Sequence, residues 1–172
     1  MWNRDGCGVD GLEALTSRTD MRNAIDVQTT LDEILMLERG ALDRWGKGDP
    51  GGFLDVYAPD VSYIDPITAE RIDGHQAMVE YYRPWIGKIR IPRYEILKPY
   101  AVVDGDMALL TYHLVNYAHD PQGVESVGSR WNSTTVYRRR GGTWKVIHSH
   151  WSYTRHPAFQ NLTPEASEGL ER

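Results

Sequence analysis

The stretch Trp131-Asn132-Ser133-Thr134-Thr135-Val136-Tyr137-Arg138-Arg139-Arg140-Gly141-Gly142-Thr143-Trp144-Lys145-Val146-Ile147-His148-Ser149-His150-Trp151-Ser152-Tyr153 decides the fold. Its two halves, Trp131 to Arg139 and Trp144 to Tyr153, are rich in β-branched and aromatic residues, and Gly141-Gly142 between them is a hairpin signal. The same grammar repeats upstream. Met107 to Tyr117 is turned by Asp120-Pro121-Gln122-Gly123, and Tyr94 to Val103 meets it through Asp104-Gly105-Asp106. Everything from Tyr94 onward therefore reads as one antiparallel meander.

Before Tyr94 the period changes. Leu31, Ile34, Leu35, Leu42 and Trp45 share one helical face, and the run from Gly46 to Gly52 stops that helix. Phe53 to Tyr57 is a short second helix ended by Ala58-Pro59-Asp60. Val61 to Asp65 is a short strand, broken by Pro66 and resumed near Glu70-Arg71-Ile72. Asp73-Gly74 opens a third helix from His75 to about Arg83, which Pro84 and Gly87 end. Helices first and a long meander afterwards make an α+β domain, with the helices on one face of the sheet. A curved sheet capped in this way encloses a pocket, and such pockets are mostly apolar.

Composition narrows the classes. The chain has 172 residues, 41% hydrophobic and 25% charged, which suits one globular domain rather than a disordered chain. Its net charge of -5 gives no electrostatic support to nucleic-acid binding. No apolar run approaches the roughly 20 residues of a membrane span. The first residues, Met1-Trp2-Asn3-Arg4-Asp5-Gly6, lead into no apolar stretch, so a cytoplasmic protein without a signal peptide is expected. A single cysteine, Cys7, leaves neither an internal disulfide nor a cysteine zinc site. Residues 1–28 lack a sustained period and read as a flexible N-terminal extension. Residues 29–156 form the domain, and residues 157–172 read as a polar C-terminal tail.

The order of helix, helix, Val61-Ser62-Tyr63-Ile64-Asp65-Pro66, Asp73-Gly74-His75-Gln76-Ala77 and long sheet resembles the nuclear-transport-factor-2-like superfamily. That group includes ketosteroid isomerases, SnoaL-type polyketide cyclases and scytalone dehydratase. The closing hairpin, Thr135 to Trp144 and then His148 to Ser152, is similar to the end of the calcium/calmodulin-dependent kinase II association domain. The likeness covers about residues 29 to 156. It implies a cone-shaped, curved antiparallel sheet with three helices packed on its concave side around a pocket.

Candidate site residues follow from the residues and from that resemblance. Asp65 matches the general base of ketosteroid isomerases, where an apolar wall helps a carboxylate take a proton beside a carbonyl. The alternative is an Asp-Pro turn whose carboxylate accepts backbone N–H groups. The isomerase's tyrosine donor falls at Ala41 and its strand acid near Thr134 or Thr135, so Thr135 is left as a minor donor. His113 occupies the place of a pocket arginine in the kinase association pattern, and a histidine there would be an acid or polarising donor opposite Asp65. Tyr57, Tyr63, Tyr81, Tyr82, Trp85, Trp131 and Trp151 are candidate cavity aromatics. Asp43 fits the first-helix aspartate of dehydrochlorinases, but the stretch from Trp85 to Tyr94 lacks the histidine that would complete their dyad.

His148 and His150 share a strand face, yet no third ligand is spaced nearby, so no metal is expected. No glycine-rich phosphate loop is present, so no cofactor is expected either. Strand alternation puts Trp144 with these two histidines on the outward face, a surface for a homodimer. Two readings result. One is a pocket protein for a small, largely apolar organic ligand, with proton-transfer chemistry of the isomerase, cyclase or dehydratase kind on Asp65. The other is a non-catalytic ligand-binding or oligomerisation module like the kinase association domain.

Overall fold

The structure is a computed structural model that describes residues 10–154, with side chains described from residue 26 onward. A long helix α1 (Asp10–Trp45) and a short α2 (Gly51–Val56) precede β1 (Tyr57–Ile64) and β2 (Ile72–Asp73). Helix α3 (His75–Tyr82) runs into a single 3-10 turn, Arg83–Trp85. Four long strands follow: β3 (Arg93–Asp104), β4 (Met107–His119), β5 (Glu125–Arg140) and β6 (Thr143–Tyr153). They form one six-stranded sheet in the order β2-β1-β6-β5-β4-β3. Every joint is antiparallel except β1 with β6, which is parallel. The fold is α+β, and its buried core lies between the helices and one face of the sheet.

Residues 10–28 differ from the loose extension expected of them, because α1 already begins at Asp10. Once the packed turns of a helix exist, each further residue adds a hydrogen bond without a new nucleation step. The tail from residue 157 and Cys7 lie outside the described residues. No described helix is long and apolar enough to cross a membrane.

Helix α1 is locked onto the sheet by a carboxyl group. Glu38 falls between Ile34 and Leu42 on the apolar stripe and is only 2% exposed. It accepts a hydrogen bond from Tyr112 of β4 at 2.6 Å and another from Tyr137 of β5. The second helix packs close by. A Cβ on Gly52 would stand 2.9 Å from the Ala41 carbonyl oxygen, so only glycine allows α2 this approach to α1.

One feature of the closing hairpin corrects the expected faces. Val136 pairs with His148, but Tyr137 pairs with Val146, so Ile147 is an extra residue in β6. A bulge of this kind reverses the alternation beyond it. Trp144 therefore does not share the outer face with His148 and His150. It is 5% exposed, faces the helices, and donates its indole N–H to Glu33 of α1 at 2.9 Å.

Burial pushes the Glu38 carboxyl above its ordinary value of 4.5, against the opposing pull of its two tyrosine donors. The folded protein thus keeps a proton that the unfolded chain has released. The stability this contributes is complete below the unfolded value and is lost as pH rises through the folded one. Relative to Glu38→Gln, the native protein should lose melting temperature as pH rises above the ordinary glutamate value of 4.5. Glu38→Ala, which strands two buried phenols, should cost about 3 kcal/mol in urea unfolding at neutral pH.

Candidate functional site

A cavity of about 360 Å³ lies between the helices and the concave face of the sheet. Helix α1 contributes Leu42 and Trp45, α2 contributes Phe53, and α3 with its 3-10 turn contributes Tyr81, Tyr82 and Trp85. The sheet supplies Tyr63, Leu114, Trp131, Trp151 and Tyr153. These side chains converge because alternate residues of each strand point to one face. Leu114, Trp131 and Tyr153 are direct cross-strand neighbours on β4, β5 and β6. The rings interlock: Phe53 and Trp151 meet edge to face at 6.3 Å and 85°, and Trp45 and Tyr82 lie tilted at 54°, 5.2 Å apart. Trp131 and Tyr153 are nearly stacked, at 4.3 Å. Such a lining accepts a flat apolar body and offers few polar groups to orient it.

Asp65 stands just past the end of β1, in the wall of this cavity. Pro66 cannot continue the ladder, so the chain turns, and Thr68 N–H bonds back to the Asp65 carbonyl at 3.2 Å. In that turn one carboxylate oxygen accepts the backbone N–H groups of Ile67 (2.8 Å) and Thr68 (2.9 Å). The other accepts the hydroxyls of Tyr63 (2.9 Å) and Tyr81 (2.7 Å). A carboxylate has about four acceptor positions, and here four donors fill them. Burial first, and then the neighbouring carboxylate, push the Tyr81 hydroxyl well above its ordinary range. Burial does the same at Tyr63. Both phenols therefore stay protonated and keep donating to Asp65.

The residues singled out from the sequence separate into two groups. Asp65, Tyr63, Tyr82, Trp85, Trp131 and Trp151 all meet at the cavity. Tyr57 is buried one layer behind, its hydroxyl 3.1 Å from that of Tyr82. Thr135 faces the same side but is sealed at 2% exposure, with its hydroxyl 3.3 Å from that of Ser133. His113 does not join Asp65. Leu110, Tyr112, Leu114 and Asn116 face the helices, so His113 points to the opposite face, where it is exposed and bonds Asn132 at 2.9 Å. The acid–base pair drawn from the resemblance is not assembled.

The remaining candidates have local partners. Asp43 accepts the Tyr94 hydroxyl at 2.8 Å, outside the cavity. His148 bonds the Ser62 hydroxyl at 2.8 Å, and partial burial lowers its affinity for a proton. Among the described residues no group of acidic, histidine or cysteine side chains is arranged to hold a metal ion. Ala41, the position of the isomerase tyrosine, is covered by Gly52.

Several cavity residues went unread in the sequence, Trp45, Phe53, Asn116 and Ser129 among them. Trp45 and Phe53 were placed on helices but not in the wall. Asn116 and Ser129 were missed, although Asn116 continues the inward series Leu110, Tyr112, Leu114 by simple alternation.

A curved sheet carrying three helices over an aromatic cavity defines the nuclear-transport-factor-2-like class of fold. The family model described as a SnoaL-like domain matches residues 42–156, and the chain belongs to that family. Among solved structures it is similar to a proposed ketosteroid isomerase from Parabacteroides distasonis, with 32% identity and a TM-score of 0.62. That match covers 73% of this chain and 87% of the other. It is similar also to a nuclear-transport-factor-2-like protein of unknown function from Pseudomonas putida, at 26% identity and a TM-score of 0.64, over 80% of this chain and 98% of that one. The association domain of Caenorhabditis elegans calcium/calmodulin-dependent kinase II shares the fold at 18% identity and a TM-score of 0.63, over 74% of this chain and 98% of that one. No curated protein matches the sequence.

The bonding around Asp65 generates a stability prediction. Asp65→Ala removes the acceptor of two backbone N–H groups and two phenols and should lower the unfolding free energy by about 2 kcal/mol. Asp65→Asn keeps one acceptor oxygen and should cost less than half as much, read from urea denaturation.

Proposed function

We propose that this SnoaL-like protein is a binding pocket for a small, flat, largely apolar organic ligand. The aromatic cavity is the support for that reading: its rings present faces and edges to a cyclic body, and its volume suits a compact ligand. The likeness to the Parabacteroides protein favours a fused-ring compound, since ketosteroids are of that shape. Asp65 serves here to shape the wall. With all four acceptor positions filled and His113 on the far face, it has neither an open position for a substrate proton nor an acid partner.

A fluorescence titration with naphthol tests this, because Trp45, Trp85, Trp131 and Trp151 all line the cavity. Saturable quenching is expected, with Trp131→Ala weakening the apparent affinity by about tenfold, a loss of ~1.4 kcal/mol. Incubation with an unconjugated ketosteroid should give no isomerisation above the uncatalysed rate. An isomerisation abolished by Asp65→Asn would overturn the binding reading in favour of the enzyme.

Self-association is a second reading, carried by the face of the sheet that no helix covers. Leu97, Tyr100 and Val102 of β3 stand there at 38%, 64% and 48% exposure, an unusual grouping of apolar side chains for open water. His113, His148 and His150 share this face, and Trp144 does not. A homodimer through it predicts that Val102→Glu shifts the mass measured by light scattering from dimer to monomer. A monomer for the unaltered chain would rule the dimer out.

A further inference from the structure

The cavity has a second polar corner, on strands β4 and β5. Asn116, Ser129 and Trp131 meet there, and all three line the cavity. Asn116 is 9% exposed, and its side-chain oxygen is the one buried side-chain polar atom among the described residues that has no hydrogen-bond partner. Its amide nitrogen donates to the Ser129 hydroxyl oxygen at 3.2 Å, and the Trp131 indole N–H donates to the same oxygen at 2.8 Å. Those two bonds use both lone pairs of Ser129, so its own hydroxyl proton is uncommitted. One acceptor and one donor are thus left open side by side.

The ladder becomes irregular immediately beyond this corner. Asn116 pairs with Ser129, but Tyr117 pairs with Val127, so Gly128 is an extra residue in β5. Irregularities of this kind re-aim side chains, and they gather beside binding sites. Leaving a buried amide oxygen unbonded is a cost to the folded protein. A binding site that completes the bond with its ligand has a reason to carry it.

We infer that this corner recognises a hydroxyl group on a flat ring system. Such a hydroxyl donates to Asn116 Oδ1 and accepts from Ser129, while the ring lies against Trp131. Oδ1 is covered by the wall, so the ligand hydroxyl reaches it as the side-chain amide turns about its last torsion and gives up its 3.2 Å bond to Ser129. A methyl group, a halogen or an ether in the same place cannot supply the donor. The inference rests on the pocket reading above and names the class of ligand: a cyclic alcohol or phenol. Asn116 and Ser129 lie on strands three and two places from β1, so this corner is built by other strands than the one that leads to Asp65.

The test compares naphthol with methylnaphthalene, its close match in size, by tryptophan quenching in the full chain. The unaltered protein should prefer naphthol by about tenfold or more. Asn116→Leu should reduce that preference to within about twofold, and Ser129→Ala should reduce it in part. The leucine variant should also melt no lower than the native protein, since it removes an unpaired buried polar group and fills the same space. A simple structural role for Asn116 predicts the opposite, a clear drop in melting temperature, and that result overturns the inference. Equal binding of the two probes by the native protein, or a preference that survives Asn116→Leu and vanishes in Asp65→Asn, overturns it while leaving the pocket reading in place. Absence of saturable binding for both probes defeats the two together.

Discussion

A carboxyl group buried between a helix and a sheet is expensive unless its bonds are made. At Glu38 they are made by Tyr112 and Tyr137, which come from two adjacent strands, and so the helix has one register in which its stripe can settle. Everything above the sheet is placed from there. With Glu38 seated, Leu42 and Trp45 one and two turns further along come to stand over the concave face. Gly52 then sets α2 against Ala41, and Phe53 follows into the same space. The cavity is what remains between a helix fixed by its middle and a sheet that curves away from it.

Around that space two kinds of polar group behave differently. Asp65 is satisfied by its own turn and by two phenols, so it holds β1, the Asp-Pro turn and α3 together at the wall. Asn116 is not satisfied, and it lies where β5 departs from a regular ladder. An acid in a pocket invites a catalytic reading, yet hydrogen-bond accounting separates a carboxylate with every position filled from an amide with one position open. The first ties the wall together, and the second keeps an open acceptor.

Much of this was legible beforehand. The Gly141-Gly142 pair, the Asp104-Gly105-Asp106 turn and the apolar alternation from Tyr94 onward determine the meander, because a period of two and tight turns leave few alternatives. The Asp65-Pro66 turn, weighed against a catalytic base, is present with both backbone N–H groups on the carboxylate. His113 went to the wrong face because its position was borrowed from a resemblance. The apolar series Leu110, Tyr112, Leu114 on the same strand already pointed the other way. Glu38 was not among the residues singled out, although its spacing from Ile34 and Leu42 puts it in the middle of the buried stripe.

The sequence by itself determined the elements, their order, the class of fold and most of the cavity's aromatic side chains, since those depend on local period and turn chemistry. Tertiary structure alone decided which faces they present and which polar groups are spoken for. The extra residues Ile147 and Gly128 are features of how the strands pair, and each reverses or re-aims the side chains beyond it. Thus Trp144 is in the core. Whether Asp65 or Asn116 has a free acceptor depends on donors brought from distant parts of the chain, which no local pattern records.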